Sequence, residues 1–180
     1  MTCRIGINGF GRIGRMVMRR SLMVPEVEVV AVNDLADIGD LAYLLKYDSV
    51  HGVFPGDVTH DASHLKIGGQ TVSFFSEPAP ADIPWAQADV DVVIDATGAF
   101  RGRDAASQHL RGSVRKVLIS APSDNIDVTI VPGVNDAQYD PHQHHVISMA
   151  SCTTNSLAPL AKVLQDHFGI VHLFIRVVAQ

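Results

Sequence analysis

The feature that most constrains this chain is a glycine pattern, Gly9-x-Gly11-x-x-Gly14, which follows a short apolar run and opens a helical pattern. In a strand–turn–helix unit each of these positions requires glycine for a different physical reason. The first permits a tight turn, the second lets the backbone approach a pyrophosphate, and the third lets the helix pack closely on the strand. The helix then directs free N–H groups and the positive end of its dipole toward an anion. The pattern predicts a dinucleotide-binding α/β unit.

A carboxylate at the end of the next apolar run strengthens this prediction. Residues 27–33 read VEVVAVN, a β-branched strand, and Asp34 follows them. A carboxylate at this place accepts hydrogen bonds from the adenosine ribose hydroxyls and repels a 2′-phosphate, which favours NAD over NADP. The alternative is a glycine-rich turn with an unrelated surface aspartate, and the combined spacing makes it the weaker interpretation.

Apolar runs alternate with helical patterns along the chain. We predict strands at residues 5–8, 27–33, 71–75, 90–95, 117–120, 128–131 and 145–148, helices at 13–22, 41–45, 103–110 and 154–168, and irregular or hairpin structure at 52–69. Strands alternating with helices are typical of a parallel sheet covered on both faces. The predicted fold class is therefore α/β, with a Rossmann-type, doubly wound, mostly parallel sheet.

Composition excludes several classes of protein. The 180 residues are 47% hydrophobic, enough to bury a sizeable core, and a net charge of −5 without a basic cluster does not favour nucleic-acid binding. No apolar run approaches the ~20 residues of a membrane span, and no signal segment precedes the first strand, so we expect a cytoplasmic protein. Cys3 and Cys152 share no metal-ligand spacing. We expect free thiols and no metal site.

Three further residues follow later predicted strands. Thr97 and Gly98 come after the strand at 90–95, and Ser120 ends the next one. Ligands of such sheets collect at the carboxyl ends of the strands, so these residues are candidate cofactor contacts. Ordinary strand-end turns explain them equally well.

A second motif, Ser151-Cys152-Thr153-Thr154-Asn155, precedes an amphipathic helical pattern. A thiol at a helix N-terminus is a candidate nucleophile because the helix dipole stabilises its thiolate. Pro159 predicts that this helix is kinked or begins late. A lone cysteine is more often a small core residue, so both interpretations stay open at this point.

Several segments together resemble the phosphorylating glyceraldehyde-3-phosphate dehydrogenases. They are INGFGRIGR at 7–15, LLKYDSVHG at 44–52, ATG at 96–98, SAP at 120–122 and SCTTN at 151–155. The first and last are far more specific than a glycine pattern alone, and the resemblance runs to about Ile170. It implies an NAD-binding Rossmann domain at 1–150, and at 151–180 the nucleophile segment, a helix and the start of a catalytic domain. Erythrose-4-phosphate dehydrogenases share much of the pattern but match it less well at 45–52 and 119–122.

The resemblance also implies roles for individual residues. The residues that would bind NAD are Gly9, Phe10, Gly11, Arg12, Ile13, Gly14, Asp34, Thr97, Gly98 and Ser120. Cys152 would attack glyceraldehyde 3-phosphate, hydride transfer to the nicotinamide would leave a thioester, and phosphate would release 1,3-bisphosphoglycerate, a step of glycolysis. Ser151 and Thr153 would bind phosphate beside the thiol. The full-length family forms homo-oligomers.

The chain departs from the family where the catalytic histidine is expected. The corresponding residues 173–180 read LFIRVVAQ, which predicts an apolar strand without partners, and His172 does not match the histidine's place. A general base contributes roughly 10²–10⁴-fold in rate, so we expect this chain alone to be inactive. A non-catalytic NAD-binding or redox-responsive module and a truncated remnant are the alternatives. Pro78 and Ala79 replace an Arg-Asp pair, which removes a cation expected near the adenine.

Overall fold

The computed structural model describes residues 2–176. The first half of the chain contains β1 (Cys3–Asn8), α1 (Arg12–Ser21), β2 (Val27–Asn33), α2 (Ile38–Lys46), β3 (Tyr47–Asp48), β4 (Gly52–Val53), β5 (Val58–His60), β6 (His64–Ile67) and β7 (Gln70–Phe75). The second half contains β8 (Val92–Asp95), α3 (Arg103–Ala106), β9 (Lys116–Ile119), β10 (Val128–Thr129), β11 (Val146–Ser148) and α4 (Cys152–Phe168).

Among residues 2–176, nine strands form one sheet in the order β10-β11-β9-β8-β1-β2-β7-β6-β5. The strands from β10 to β7 are parallel, and β6 and β5 add an antiparallel edge. From β2 the chain passes to the edge strand β5 and returns through β6 and β7. It then crosses to β8, on the other side of β1, and moves outward through β9 in the opposite direction. The topological switch point therefore lies between β1 and β8. The predicted doubly wound, mostly parallel α/β fold is confirmed.

Hydrophobic clusters pack against the sheet. The largest joins the sheet to α1 and α2 and contains Ile7, Phe10, Met18, Val32 and Leu45 among other residues. A second cluster surrounds Trp85, and a third is formed by Ala106, Val117, Ile119 and Val146. Burial of this kind supplies the main driving force for folding, and it holds the strand ends in a fixed relation to one another.

Two helices differ from their prediction. The helix predicted at 103–110 is α3 followed by a 3-10 turn, Ser107–His109. For α4 the prediction is a kink at Pro159 or a late start. The late start is wrong, because α4 begins at Cys152 and contains Pro159 in its interior. The Ser151 hydroxyl accepts a hydrogen bond from the Thr154 N–H at 2.9 Å, and this cap stabilises the early start.

The chain after β11 packs little against the sheet. Within residues 2–176, no residue of α4 is buried, and Leu160, Val163 and Phe168 are exposed. Residues 173–176 form no strand, and the remainder of the apolar strand predicted there lies outside the described residues. None of the helices described between residues 2 and 176 has the length and apolar character needed to cross a membrane.

Candidate functional site

The turn between β1 and α1 is shaped by its glycines. Gly9 has a φ of +88°, in the left-handed region that favours glycine, and a Cβ built there would lie 2.8 Å from the Thr97 nitrogen. A Cβ on Gly14 would lie 2.2 Å from the Gly9 carbonyl oxygen, so α1 begins in direct contact with the turn. A Cβ on Gly11, by contrast, would meet no described atom within 4 Å. The backbone of the turn is therefore approachable at Gly11.

The first turn of α1 has the properties of an anion site. Gly11 is its N-cap, and in the described part of the chain no side chain caps this end and no acidic residue lies in the first turn. The first N–H groups of a helix lack partners within the helix, and the dipole favours negative charge there. Arg12 and Ile13 are exposed on the same turn.

Asp34 ties the second strand to this turn. Its Oδ2 accepts a hydrogen bond from the Phe10 N–H at 2.6 Å, and its Oδ1 accepts one from the Ala36 N–H at 2.9 Å. An ionised carboxylate offers about four lone-pair sites, so further acceptor capacity remains. The Phe10 side chain is fully buried in the core, so only its backbone belongs to the turn's surface.

These groups meet in a cleft of about 360 Å³. It is lined by Asn8, Gly9, Gly11, Asn33, Asp34, Leu35, Glu77, Pro78, Ala96, Thr97, Ala99 and Phe100. The cleft lies at the carboxyl ends of β1, β2 and β8, at the switch point of the sheet, where α/β proteins bind ligands.

Four of the predicted cofactor residues line the cleft, namely Gly9, Gly11, Asp34 and Thr97. The others are placed around it. Phe10 and Gly14 are buried beneath the turn, and Gly98 has a φ of +69° in the turn after β8. Ser120, which follows β9, is half-buried, and its N–H donates to the Asp95 carbonyl at 3.0 Å. The assignment of all these residues to cofactor binding stays a prediction.

The sequence reasoning missed a polar row under the cleft. The register pairs Asn8 with Asn33 on one side and with Asp95 on the other. The Asn33 amide donates to the Asn8 Oδ1 at 2.9 Å, and the Asn8 amide donates to the Asp95 Oδ2 at 2.9 Å. Thr97 donates to the Asp95 Oδ1 through its N–H at 3.0 Å and its hydroxyl at 2.6 Å. In the sequence, Asn8, Asn33 and Asp95 each end an apolar strand, and this shared position is the signal that could have revealed the row.

Asp95 is the charged centre of this row although its exposure is only 1%. Burial acts to raise the pKa of Asp95, but the hydrogen bonds from His109, Thr97 and Asn8 outweigh burial and hold that pKa below its ordinary value. Asp95 is therefore an ionised acceptor at neutral pH. A buried carboxylate is tolerated because several donors satisfy it.

The predicted nucleophile is exposed at the first position of α4. Besides capping the helix, the Ser151 hydroxyl lies 2.8 Å from the Thr153 hydroxyl. The Asn155 amide donates to the Met149 and Ser151 carbonyls, at 2.7 and 2.9 Å. Within the described residues Cys152 is exposed and is not packed in the core.

The two cysteines differ in their surroundings. Cys3 is partly buried on β1, and burial, followed by the charge of Asp91, raises the pKa of its thiol. Cys152 is exposed, and both cysteines are free. Cys152, Ser151 and Thr153 are not among the residues described as lining the cleft. Between residues 2 and 176 no group of three or more His, Cys, Asp or Glu side chains could hold a metal ion.

Comparison with known proteins gives two family matches. Residues 3–103 match the family model described as glyceraldehyde 3-phosphate dehydrogenase, NAD binding domain, and residues 151–180 match the C-terminal domain model of the same enzyme. A glyceraldehyde-3-phosphate dehydrogenase 2 of Streptomyces avermitilis is 54% identical over 95% of this chain and 51% of its own length. The Geobacillus stearothermophilus enzyme is 53% identical over 95% of this chain and 51% of its own length. The Thermotoga maritima enzyme is 51% identical over 93% of this chain and 51% of its own length. The chain spans about half the length of these curated relatives.

Proposed function

This chain belongs to the glyceraldehyde-3-phosphate dehydrogenase family, and on that premise we propose that its cleft holds NAD and that Cys152 is the nucleophile of the family reaction. The whole protein's activity would be the oxidative phosphorylation of glyceraldehyde 3-phosphate to 1,3-bisphosphoglycerate in glycolysis. The two family matches support a division into an NAD-binding domain at 1–150 and the start of a catalytic domain at 151–180. A cytoplasmic, homo-oligomeric enzyme is part of the same proposal.

The residues of the cleft fit NAD. The open side of Gly11 and the uncapped N-terminus of α1 suit the pyrophosphate, since backbone N–H groups and the helix dipole favour an anion there. Asp34 retains acceptor capacity for the adenosine ribose hydroxyls, and its charge would repel a 2′-phosphate. Pro78 lines the cleft and offers no charge to the adenine, so we still expect weaker binding than in relatives that have a cation there.

Cys152 is the group on which the chemistry would take place. Its exposed Sγ would form a C–S bond to the aldehyde carbon, and attack by phosphate on the resulting thioester would free the thiol again. Bound NAD would supply the two-electron oxidant for that carbon. The Ser151 and Thr153 hydroxyls, 2.8 Å apart, would donate hydrogen bonds to phosphate oxygens beside the thiol.

The observation that carries the cofactor assignment is the contrast between Gly14, which is closed by the Gly9 carbonyl, and Gly11, which is open toward the cleft. Calorimetric titration of the 180-residue chain with NAD tests the assignment, and Gly11→Ala should weaken binding. A methyl group at Gly11 would stand where the pyrophosphate approaches. Losing one hydrogen bond to a charged group costs about 1.5–3 kcal/mol, which is a loss of affinity of about tenfold or more.

Gly102→Ala is the matched control. Gly102 is also an N-cap glycine with extended backbone, and a Cβ on it would likewise meet no described atom within 4 Å. Both substitutions therefore carry a similar capping cost, but only Gly11 lines the cleft. Absence of NAD binding by the unmodified chain, or equal loss in the two variants, would contradict the cofactor assignment.

The nucleophile assignment has a separate test. Detection of an acyl group on the thiol needs only one slow reaction per chain and no turnover. After prolonged incubation of the chain with glyceraldehyde 3-phosphate and NAD, intact mass spectrometry should therefore detect an acyl adduct that Cys152→Ala abolishes. An adduct that persists in Cys152→Ala would place the chemistry on another residue and refute this part of the proposal.

A further inference from the structure

A buried pair of side chains lies behind the polar row of the cleft. His109 and Trp85 are 0% and 1% exposed. The Trp85 indole N–H lies 3.0 Å from His109 Nδ1, and His109 Nε2 lies 3.3 Å from the Asp95 Oδ2. Neither residue lines the cleft, and His109 belongs to the 3-10 turn that follows α3.

The partners of His109 determine its protonation. An indole nitrogen can only donate, so His109 Nδ1 must accept the Trp85 hydrogen bond. The proton of the neutral imidazole therefore lies on Nε2, from which it is donated to Asp95. A proton on Nδ1 would set two N–H groups against each other at Trp85, so the hydrogen bond from Trp85 favours the tautomer protonated on Nε2.

Asp95 connects this pair to the surface of the cleft. Its Oδ2 accepts hydrogen bonds from His109 and Asn8, and its Oδ1 accepts hydrogen bonds from the N–H and the hydroxyl of Thr97. Thr97 in turn packs against Gly9, since a Cβ on Gly9 would lie 2.8 Å from the Thr97 nitrogen and 2.9 Å from its Cγ2. A chain of contacts therefore links the Asp95 carboxylate through Thr97 to the glycine turn.

We propose that His109 is a positioning residue for the dinucleotide cleft. By donating from Nε2 to Oδ2 it fixes the rotation of the Asp95 carboxylate, which leaves Oδ1 aimed at Thr97. The Thr97 backbone then supports Gly9 in its left-handed conformation. The inference rests on the proposed function for its ligand, NAD, but the geometry that it describes exists without ligand.

His109→Leu and His109→Gln test the proposal. Leucine donates nothing to Asp95, whereas the glutamine amide can still donate from its Nε2. We expect His109→Leu to raise the dissociation constant of NAD, because binding must then also order the Asp95 carboxylate and the turn, and His109→Gln to recover most of the affinity. A role limited to filling volume would predict the opposite order, because leucine preserves the apolar packing better.

Val146→Ala is the control for lost stability. Val146 is fully buried in the cluster with Ala106, Val117 and Ile119, and that cluster contains no residue of the polar row. This variant should lower the free energy of unfolding and leave the dissociation constant of NAD unchanged. Equal loss of NAD affinity in Val146→Ala and His109→Leu would overturn the proposal.

Two measurements do not require NAD. Long-range proton–nitrogen NMR of the unmodified chain should show His109 protonated on Nε2, and protonation on Nδ1 would overturn the proposal. Amide hydrogen exchange at Gly9 and Thr97 should be faster in His109→Leu than in Val146→Ala. Should His109→Leu fail to fold, Trp85→Phe removes the donor that selects the tautomer and should accelerate the same two amides. Failure of the unmodified chain to bind NAD would refute the proposed function alone, because these measurements still decide the role of His109.

Discussion

Substituting Gly14 by alanine is the sharpest test of how the turn and α1 fit together. The added Cβ would lie 2.2 Å from the Gly9 carbonyl oxygen and 3.1 Å from the Ile7 Cγ2. Favourable contacts between carbon atoms occur at about 3.5–4.0 Å, so the start of α1 must move by about 1 Å. This movement is opposed on both sides, because Met18 anchors α1 in the core and Thr97 lies behind Gly9.

The expected cost follows from this contact. Overpacking a well-packed site costs about 1–3 kcal/mol, and the better helix propensity of alanine offsets at most about 1 kcal/mol. The Gly9 carbonyl is backbone and cannot rotate away, so the cost lies at the upper end of that range, and we expect a net loss of about 2 kcal/mol in the free energy of unfolding. For a chain of this size that lowers Tm by about 4–8 °C.

Gly39→Ala is the matched control, because Gly39 is also a helical glycine. A Cβ there would meet side-chain atoms of Asp37 at 3.0 Å and His60 at 3.2 Å, and such side chains can adjust. We expect its stability to remain within about 1 kcal/mol of the unmodified chain.

Urea unfolding followed by tryptophan fluorescence measures these differences. Trp85 is the chain's single tryptophan and is 1% exposed, so its emission reports loss of the core. If Gly14→Ala proved as stable as Gly39→Ala and bound NAD equally well, the close contact between α1 and the turn would not be the reason for glycine at this position.

Three further predictions concern Asp95, α4 and the thiols. The pKa of Asp95 is lower in the folded chain than in the unfolded chain, so ionised Asp95 contributes its full stabilisation above the unfolded pKa of about 3.9 and loses it as pH falls through the folded pKa. The urea midpoint should therefore decline below about pH 4, and it should decline less in Asp95→Asn. Ser151→Ala removes the cap of α4 and should cost that helix about 1 kcal/mol, measured as lost helical circular dichroism, with Ser151→Thr as control. Iodoacetamide should modify exposed Cys152 before Cys3, whose thiol pKa is raised by burial, and peptide mapping showing Cys3 modified first would contradict this.

Much of the cofactor site could be predicted because its signals are local. A left-handed turn favours glycine at Gly9, an open approach to the backbone favours it at Gly11, and a close helix contact favours it at Gly14. The glycine spacing alone therefore predicts the shape of this turn. The alternation of apolar runs with helical patterns predicted the doubly wound sheet in the same way. The roles of Asp34, Thr97 and Cys152 toward ligands stay predictions.

The sequence by itself determined the fold class, the glycine turn and the family, because these depend on backbone conformation and on residues close together in the chain. Only the tertiary structure decided which polar residues share the floor of the cleft. Asn8 meets Asp95 through strand register, and Asp95 meets His109 and Trp85 because packing on the sheet brings these segments together. Buried polar groups must find partners, and which partner is within reach depends on distances that no local pattern contains.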